Sequence, residues 1–290
     1  MEILQILIVG LGQGCVYGLL ALGFVMIYKA SEIINFSQGD LMMLGTFFVF
    51  TFIMWFGLSY WLAVILAVIA MGFFGYGLDM TITRRMIGES PIATVVLTIS
   101  LGYVLRMIAT LIWGADFLVF PTPYSGKMIS LFGLHLGMEH IVVIFATILI
   151  SILLFVFFKY STLGISMQAA SQNQLAAYYM GINVKRVFSL VWAISAMIAV
   201  LAGVLLTPVL GMIYPHMGGI AIIAFAAAII GGFGSLPGAF LGAIIIGVSE
   251  QLAANYMPAG VKESIAFLIM FLVLIVRPQG LFAQVYQKKV

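Results

Sequence analysis

Nine apolar runs, almost free of charge, occupy most of this 290-residue chain and decide what it can fold into. They lie near residues 3–28, 41–57, 61–78, 92–113, 140–158, 187–207, 220–232, 239–256 and 264–276. A helix needs about 20 apolar residues to cross the hydrocarbon core of a bilayer. Most runs approach that length; 220–232 and 264–276 fall short and point to partial or tilted segments. None alternates apolar with polar residues, so a transmembrane β-barrel is excluded. A water-soluble domain carries roughly 25% charged residues. With 7% charged residues and a mean hydropathy of +1.24, this chain has too little polar surface to cover a water-facing globule. The expected fold is all-α: a polytopic integral membrane protein of about eight or nine transmembrane helices with broken or re-entrant segments. Residues 1–290 are read as a single transmembrane domain, because no soluble domain of ordinary size fits between the runs.

The opening "MEILQILIVG" starts with an acid and lacks the basic region of a signal peptide, so 3–28 is read as the first span. Basic residues orient the rest. Arg84 and Arg85, Lys159, Lys185 and Arg186, and Arg277, Lys288 and Lys289 all fall on one side when the runs are counted as spans. Lys29 joins them, which places nine of the twelve basic residues inside. Lys127 and Lys262 fall outside and Arg106 lies within a span. The N-terminus is then outside and the C-terminus inside. The single cysteine, Cys15, excludes a disulfide framework and a cysteine metal cluster and is read as a small packing residue. The outer connection 114–139, with its Pro121-x-Pro123 turn, is either a small lid or hairpin or a plain loop.

Several features interrupt the apolar pattern. In "SEIINFSQGDLMMLG" (31–45), seven of the first ten residues are polar, charged or Gly. Ile33, Ile34 and Phe36 are interleaved with Asn35 and Ser37, as in a segment that tucks back among helices. Asp40 is placed to cap a helix starting at Leu41. Gly10, Gly14 and Gly18 recur every four residues, as do Gly234, Gly238 and Gly242. Such rows let helices approach closely in lipid. Pro237 sits within the second row and marks a break whose backbone groups need partners from protein or water. Arg106 and Glu250 are charges inside predicted spans. Each costs about 2.5–3.5 kcal/mol if left unpaired at the centre. Both are expected to face the interior, where they can pair with each other; alternatively, Arg106 snorkels outward and Glu250 is protonated or capped by backbone.

The inner connection 160–186, "YSTLGISMQAASQNQLAAYYMGINVKR", is too long for a minimal helix connection. It is rich in helix formers, and Gly181 with Asn183 supplies a stop. One short helix over about 165–180 is predicted, ending in the anchors Tyr178, Tyr179 and Met180. A surface connector and a docking helix fit this chemistry equally.

Ala176-Ala177-x-x-x-Gly181 resembles the coupling loop of ABC importer permeases, with Leu175 where an acid usually stands. The whole chain resembles the branched-chain amino acid permeases, and their LivH branch more than LivM. The matching stretches are "GCVYGLLALGFVMIY" (14–28), "INFSQGDLMMLG" (34–45), "LAAYYMGINVKRV" (175–187), "AFAAAIIGGFGSLPGAFLGAIIIGVSE" (224–250) and "RPQGLF" (277–282). Relatives commonly carry arginines where this chain has Ile165 and Gln168, and a lysine where it has Ile223.

The resemblance implies ABC importer permease architecture in a bacterial or archaeal cytoplasmic membrane. It implies four kinds of partner: a second permease (LivM-like or another copy), two cytoplasmic ATPases, an extracytoplasmic solute-binding protein and the membrane itself. Nucleic acid is not among them. It also assigns ATPase coupling to Ala176, Ala177, Tyr178, Tyr179 and Gly181. Translocation-pathway candidates are Asn35, Ser37, Ser235, Glu250 and Arg106. A zwitterion needs transient polar partners, and Asn35 and Ser235 offer uncharged ones at helix breaks. Branched-chain or other aliphatic amino acids are the expected solutes; urea, a short amide or an aromatic acid are alternatives. No phosphate-binding loop is present: the Gly126–Lys127 pair has Pro121 where such a loop needs glycine. ATP is therefore expected on partner chains, with no cofactor or metal on this one. A stand-alone secondary transporter is the rival, but Glu250 is its only candidate intramembrane acid. A membrane enzyme lacks support: His135, His140 and His216 form no zinc-protease motif, and no nucleophile elbow is present.

Overall fold

The computed structural model describes residues 2–86, 89–120, 122–131, 134–258 and 260–282. The inner placement of Lys288 and Lys289, and Pro121 of the outer turn, lie outside the described residues. Six helices are long and apolar enough to cross a membrane: α1 (Glu2–Ser31), α3 (Tyr60–Thr81), α4 (Pro91–Trp113), α5 (Met138–Tyr160), α8 (Val184–Leu210) and α10 (Leu236–Tyr256). Three shorter apolar helices are α2 (Gln38–Met54), α9 (Ala221–Gly231) and α11 (Val261–Val276). Two small helices, α6 (Thr162–Gln172) and α7 (Gln174–Tyr179), form the inner connection.

The core is built on α1 and α8, which are mostly buried, whereas α4 and α5 expose most of their surface. The first glycine row explains how α1 enters that core. A Cβ added at Gly10 would lie 3.0 Å from the carbonyl oxygen of Gly247, and one at Gly14 2.8 Å from that of Ala243. One at Gly18 would strike the Phe240 ring. As α1 descends its contacts move back along α10, so the pair is antiparallel and nearly backbone to backbone. Close approach of this kind replaces the hydrophobic drive that lipid removes.

The second row needs correction. Gly234 precedes α10 and a Cβ there meets open space. Gly238 and Gly242 do share a face, and it packs on Gly231 and Ala227 of α9. Pro237 does not break a helix: it sits in the first turn of α10, where its missing N–H costs nothing. The break precedes it, at 232–235. There the Ser235 hydroxyl accepts from the amide of Gly238 at 3.1 Å, and the Ser235 amide donates to the Gly232 carbonyl at 3.0 Å. The C-terminal segment closes the other side: the amides of Leu281 and Phe282 donate to the Ile230 and Gly231 carbonyls at 2.8 and 3.2 Å.

On the side that the basic residues assign to the outside, β2 (Met128–Leu131) and β3 (Leu134–Gly137) form an antiparallel hairpin. β1 (Leu118–Val119) pairs with β4 (Met212–Ile213), tying the outer connection to the end of α8. The hairpin reading of 114–139 therefore holds, and the plain loop does not.

The inner connection is two helices rather than one. Asn173 is extended, at φ −159° and ψ 104°, and its side chain caps α7 by accepting from Ala176 at 2.9 Å. An asparagine can bond locally to the backbone, which is why it interrupts a run of good helix formers.

Candidate translocation site

Two breaks, one entering from each side, meet in the middle of the bundle. The inner one follows α1. Glu32 adopts left-handed backbone, φ 58°, and its amide still bonds Tyr28. The chain then climbs back beside α1 instead of crossing the inner surface. Gln38, the first residue of α2, packs on Gly23, which lies eight residues above Ser31. At 1.5 Å per residue the segment regains about 12 Å.

Its polar side chains build this turn. Asn35 is wholly buried. Its Oδ1 accepts from the amide of Ser37 at 3.1 Å and from the Ser37 hydroxyl at 2.5 Å, and its Nδ2 donates to Gln38 at 3.3 Å. Gln38 Nε2 donates to the Ser195 carbonyl at 3.2 Å, and the Ser195 hydroxyl lies within bonding distance of Gln38 Oε1 and the Gly23 carbonyl. Thr98 of α4 bonds the Phe36 amide and the Ile34 carbonyl, each at 3.3 Å. Asn35 and Ser37 thus hold the start of α2; their side chains do not face a cavity.

The outer break follows α8. From β4 the chain dips through a 3-10 turn, Met217–Ile220, into α9. With 11 residues, α9 is about 16 Å long, half a membrane crossing. Its start abuts the start of α2: a Cβ on Gly39 would collide with the Gly218 carbonyl, and one on Gly218 would lie 2.7 Å from Asp40 Oδ1. Two helix N-termini therefore face one point. Asp40 lies eleven residues below Thr51, which bonds Trp113 at 2.8 Å. That is about 16 Å below the level at which α2 meets the end of α4, close to mid-membrane.

A charged pair occupies this point. Arg106 donates to Asp40 Oδ1 through Nη2 at 2.9 Å and Nε at 3.2 Å. The guanidinium also lies 5.2 Å from the centre of the Tyr103 ring. Asp40 does not cap α2, which begins earlier, at Gln38. Its charge sits in the first turn, where the helix dipole favours an anion. Nor does Arg106 pair with Glu250. Glu250 is buried between α10 and α1, where Tyr17 donates to its Oε2 at 2.8 Å and Gln13 at 3.4 Å. The reason is register: Glu250 lies on the α10 face that meets the glycine row, whereas Arg106 lies on the face of α4 turned to α2.

The pair borders a cavity of about 350 Å³ lined by Phe24, Phe36, Tyr103, Gly219 and Ile222. Beneath it aromatic rings run from Phe36 to Phe225 (4.9 Å between centres), then Phe233 (5.4 Å), then Tyr28 (4.9 Å). Ser235 is not part of this group. It lines a separate cavity of about 240 Å³ at the inner start of α10, with Lys29 and Lys159.

On the inner face, α7 exposes Leu175, Tyr178, Tyr179 and Met180, while Ala177 is buried. Gly181, at φ 84°, ends the helix in the left-handed conformation that favours glycine. The Ile182 amide returns to the Ala177 carbonyl at 3.0 Å. A cavity of about 910 Å³ adjoins this knuckle, lined by Tyr178, Ile182, Lys185, Phe188 and Arg84. Beside it Asp79 is buried and accepts from Ser189 at 2.6 Å, Thr83 at 3.0 Å and Arg84 at 3.4 Å.

Sequence reasoning missed Asp40 as the partner of Arg106, the Gly39–Gly218 contact, and the Asp79 cluster. A partial signal existed: an intramembrane arginine needs an acid, and Asp40 is one of only nine. Nothing local in "PHMGGIA" marks Gly218 as its neighbour.

Comparison with known proteins fits this architecture. The family described as "Branched-chain amino acid transport system / permease component" matches residues 6–276. The branched-chain amino acid permease LivH of Salmonella typhimurium is 31% identical over 99% of this chain and 97% of its own length. The permease BraD of Pseudomonas aeruginosa is 31% identical over 99% and 98%. Among solved structures, PsaBC from Streptococcus pneumoniae superposes with a TM-score of 0.52 at 14% identity, over 95% of this chain and 91% of that one, which speaks to the fold alone. The all-α membrane architecture and the end-to-end match agree, and the chain belongs to the permease component family of the branched-chain amino acid transport systems.

Proposed function

We propose that this chain is the permease subunit of an ATP-driven importer in the cytoplasmic membrane, moving branched-chain or other aliphatic amino acids. A second permease, LivM-like or another copy, covers the open side of the central cavity. Two ATPases, one on the α6–α7 knuckle of this chain and one on the second permease, carry the ATP, so this chain needs no cofactor of its own. A solute-binding protein delivers the solute from outside.

The observation that carries this reading is the knuckle. Four large apolar side chains, Leu175, Tyr178, Tyr179 and Met180, stand in water on a short, firmly seated helix. Exposed apolar clusters of this kind mark protein contacts. The mount is rigid, because Ala177 packs inward and α7 returns at once into α8. Ser195, eleven residues up α8 from Val184, is the residue that bonds Gln38 at the start of α2. A push on α7 is thus applied about 16 Å away at the central break. Ala176, Ala177, Tyr178, Tyr179 and Gly181 act in coupling, and α8 transmits.

The charged pair supports the second permease. Ile99, Tyr103 and Ile222 at the cavity rim are exposed, and the Arg106 side chain is 23% exposed. Lipid would not tolerate a guanidinium there; protein or water must cover it.

The test is purification of the tagged permease with its neighbours, followed by reconstitution. Co-purification of ATPases that is lost when Tyr178 and Tyr179 are both changed to Ala, with ATP-driven leucine uptake by the intact assembly, is expected. Recovery of no ATPase defeats the importer reading. Uptake of urea, a short amide or an aromatic acid, but not leucine, defeats the solute assignment alone.

A further inference from the structure

We propose that Asp40 and Arg106 are the two halves of a transient zwitterion site: Asp40 takes the α-ammonium of the solute and Arg106 its α-carboxylate. This rests on the reading above that the solute is an aliphatic amino acid, and it deepens that reading to named atoms.

The geometry carries it in three ways. First, the pair is incompletely used. Both guanidinium bonds go to a single oxygen, Asp40 Oδ1, so Oδ2 accepts no hydrogen bond and Arg106 Nη1 donates none among the described residues. Each partner keeps one free edge. Neither atom is among the buried side-chain atoms left without a partner among the described residues, so both edges are open and not sealed in protein.

Second, the position is right for a solute and wrong for a scaffold. The pair sits at mid-membrane where the starts of α2 and α9 converge, with about 350 Å³ beside it. The N-terminus of α2 leaves first-turn amides without intrahelical partners and adds partial positive charge near the carboxylate position. A zwitterion that enters between Oδ2 and Nη1 exchanges one ion pair for two and leaves the net charge of the site unchanged.

Third, the walls match an aliphatic side chain. Phe24, Phe36, Ile99 and Ile222 surround the cavity next to the charges. Apolar surface and two opposite charges on adjacent walls are the features an amino acid presents. In the empty state the two residues satisfy each other, so the site resets after each passage and binds weakly.

The test separates this role from a structural one. The whole assembly is reconstituted with its binding protein and leucine uptake is measured for Asp40→Asn, Arg106→Gln and the double variant. Each charge-assisted contact to the solute is worth a factor of about ten or more, so both single variants and the double variant are expected to lose uptake by at least that factor. Recovery of uptake in the double variant shows a structural pair and overturns the proposal. Co-purification of the subunits checks assembly.

The wild-type assembly, freed of binding protein, decides the case if the variants do not assemble. Leucine is expected to raise its melting temperature. Isoamylamine, which lacks the carboxylate, and 4-methylvalerate, which lacks the ammonium, are expected not to at equal concentration. Equal shifts from all three, or no shift from leucine, overturn the proposal. If the intact wild-type assembly takes up no leucine at all, the solute reading itself has failed. Uptake by the wild type that persists in the double variant leaves that reading standing and removes only this site.

Discussion

Replacing Gly39 with Ala tests the meeting of the two breaks with one methyl group. The added Cβ would collide with the carbonyl oxygen of Gly218 and lie 2.6 Å from the Ala221 methyl and 2.8 Å from the Gly218 carbonyl carbon. Ordinary carbon contacts lie at about 3.5–4.0 Å, so the segments must part by about 1 Å. The colliding group is backbone and cannot rotate away. Its own turn is fixed, because the Met217 amide bonds Tyr214 and the Gly219 amide bonds His216, each at 3.1 Å. Overpacking costs about 1–3 kcal/mol, and a backbone collision belongs to the upper part of that range. Helix propensity offsets up to about 1 kcal/mol of this, because Gly39 lies in the first turn of α2. Gly77 supplies the control. It is also helical, in α3, and a Cβ there meets nothing within 4 Å, so Gly77→Ala keeps the propensity gain without the collision. The difference between the two variants is therefore about 2–3 kcal/mol. At about 2–4 °C per kcal/mol, Gly39→Ala should melt roughly 4–12 °C below Gly77→Ala in detergent. Because Asp40 is the next residue, leucine uptake should fall by more than the loss of protein from the membrane accounts for. Equal melting temperatures and equal uptake for the two variants would refute the contact and the convergence of the two helix starts with it.

Two further substitutions probe the inner face. Gly181→Val forces a branched side chain into left-handed backbone at φ 84°, at a cost of roughly 1–2 kcal/mol. Membrane insertion should be intact and ATP-driven uptake reduced, whereas unchanged uptake would remove α7 from coupling. Asp79→Asn weakens the bond from Ser189 that joins α3 to α8 and those from Thr83 and Arg84 of the 3-10 turn after α3. A loss of about 1–3 kcal/mol, as for a buried bond to a charged group, is expected in thermal unfolding, and Glu at this position should not restore it because the site is closed.

Much of the frame is legible in the sequence because lipid leaves few alternatives. Apolar run length fixes where helices lie, and the short runs at 220–232 and 264–276 became the short helices α9 and α11. Gly10, Gly14 and Gly18 announce a close helix contact, since spacing by four places them on one face and no side chain is there to fill it. What they cannot announce is the partner. Nothing in that row specifies Gly247 rather than Gly238, because a glycine face accepts any smooth surface. The same limit governs the charges. Arg106 and Glu250 both require partners on energetic grounds, and pairing them is the economical solution when only spans are counted. The structure pairs neither with the other because Asp40, which reads as a surface cap, is carried to mid-membrane by the returning segment 32–37. That return rests on Glu32 in left-handed backbone and on the Asn35 turn. These local geometries override hydropathy.

Under the function proposed above, the same return sets where the barrier to transport stands. Because α2 starts at the charged pair and not at the inner surface, it does not fill the layer below the pair, and that layer is aromatic. Phe36, Phe225, Phe233 and Tyr28 lie in a chain of ring contacts below the charged pair, all within about 5.5 Å of the next. Ring rotation is the movement that opens this layer without parting helices. α9 is held at its inner end by the amides of Leu281 and Phe282, and α1 is held by α10 through the glycine row. α9 packs as closely on α10, through Gly231 on Gly238 and Ala227 on Gly242, so α1, α9 and α10 form one clamped frame and the rings are the parts of the layer that can turn within it.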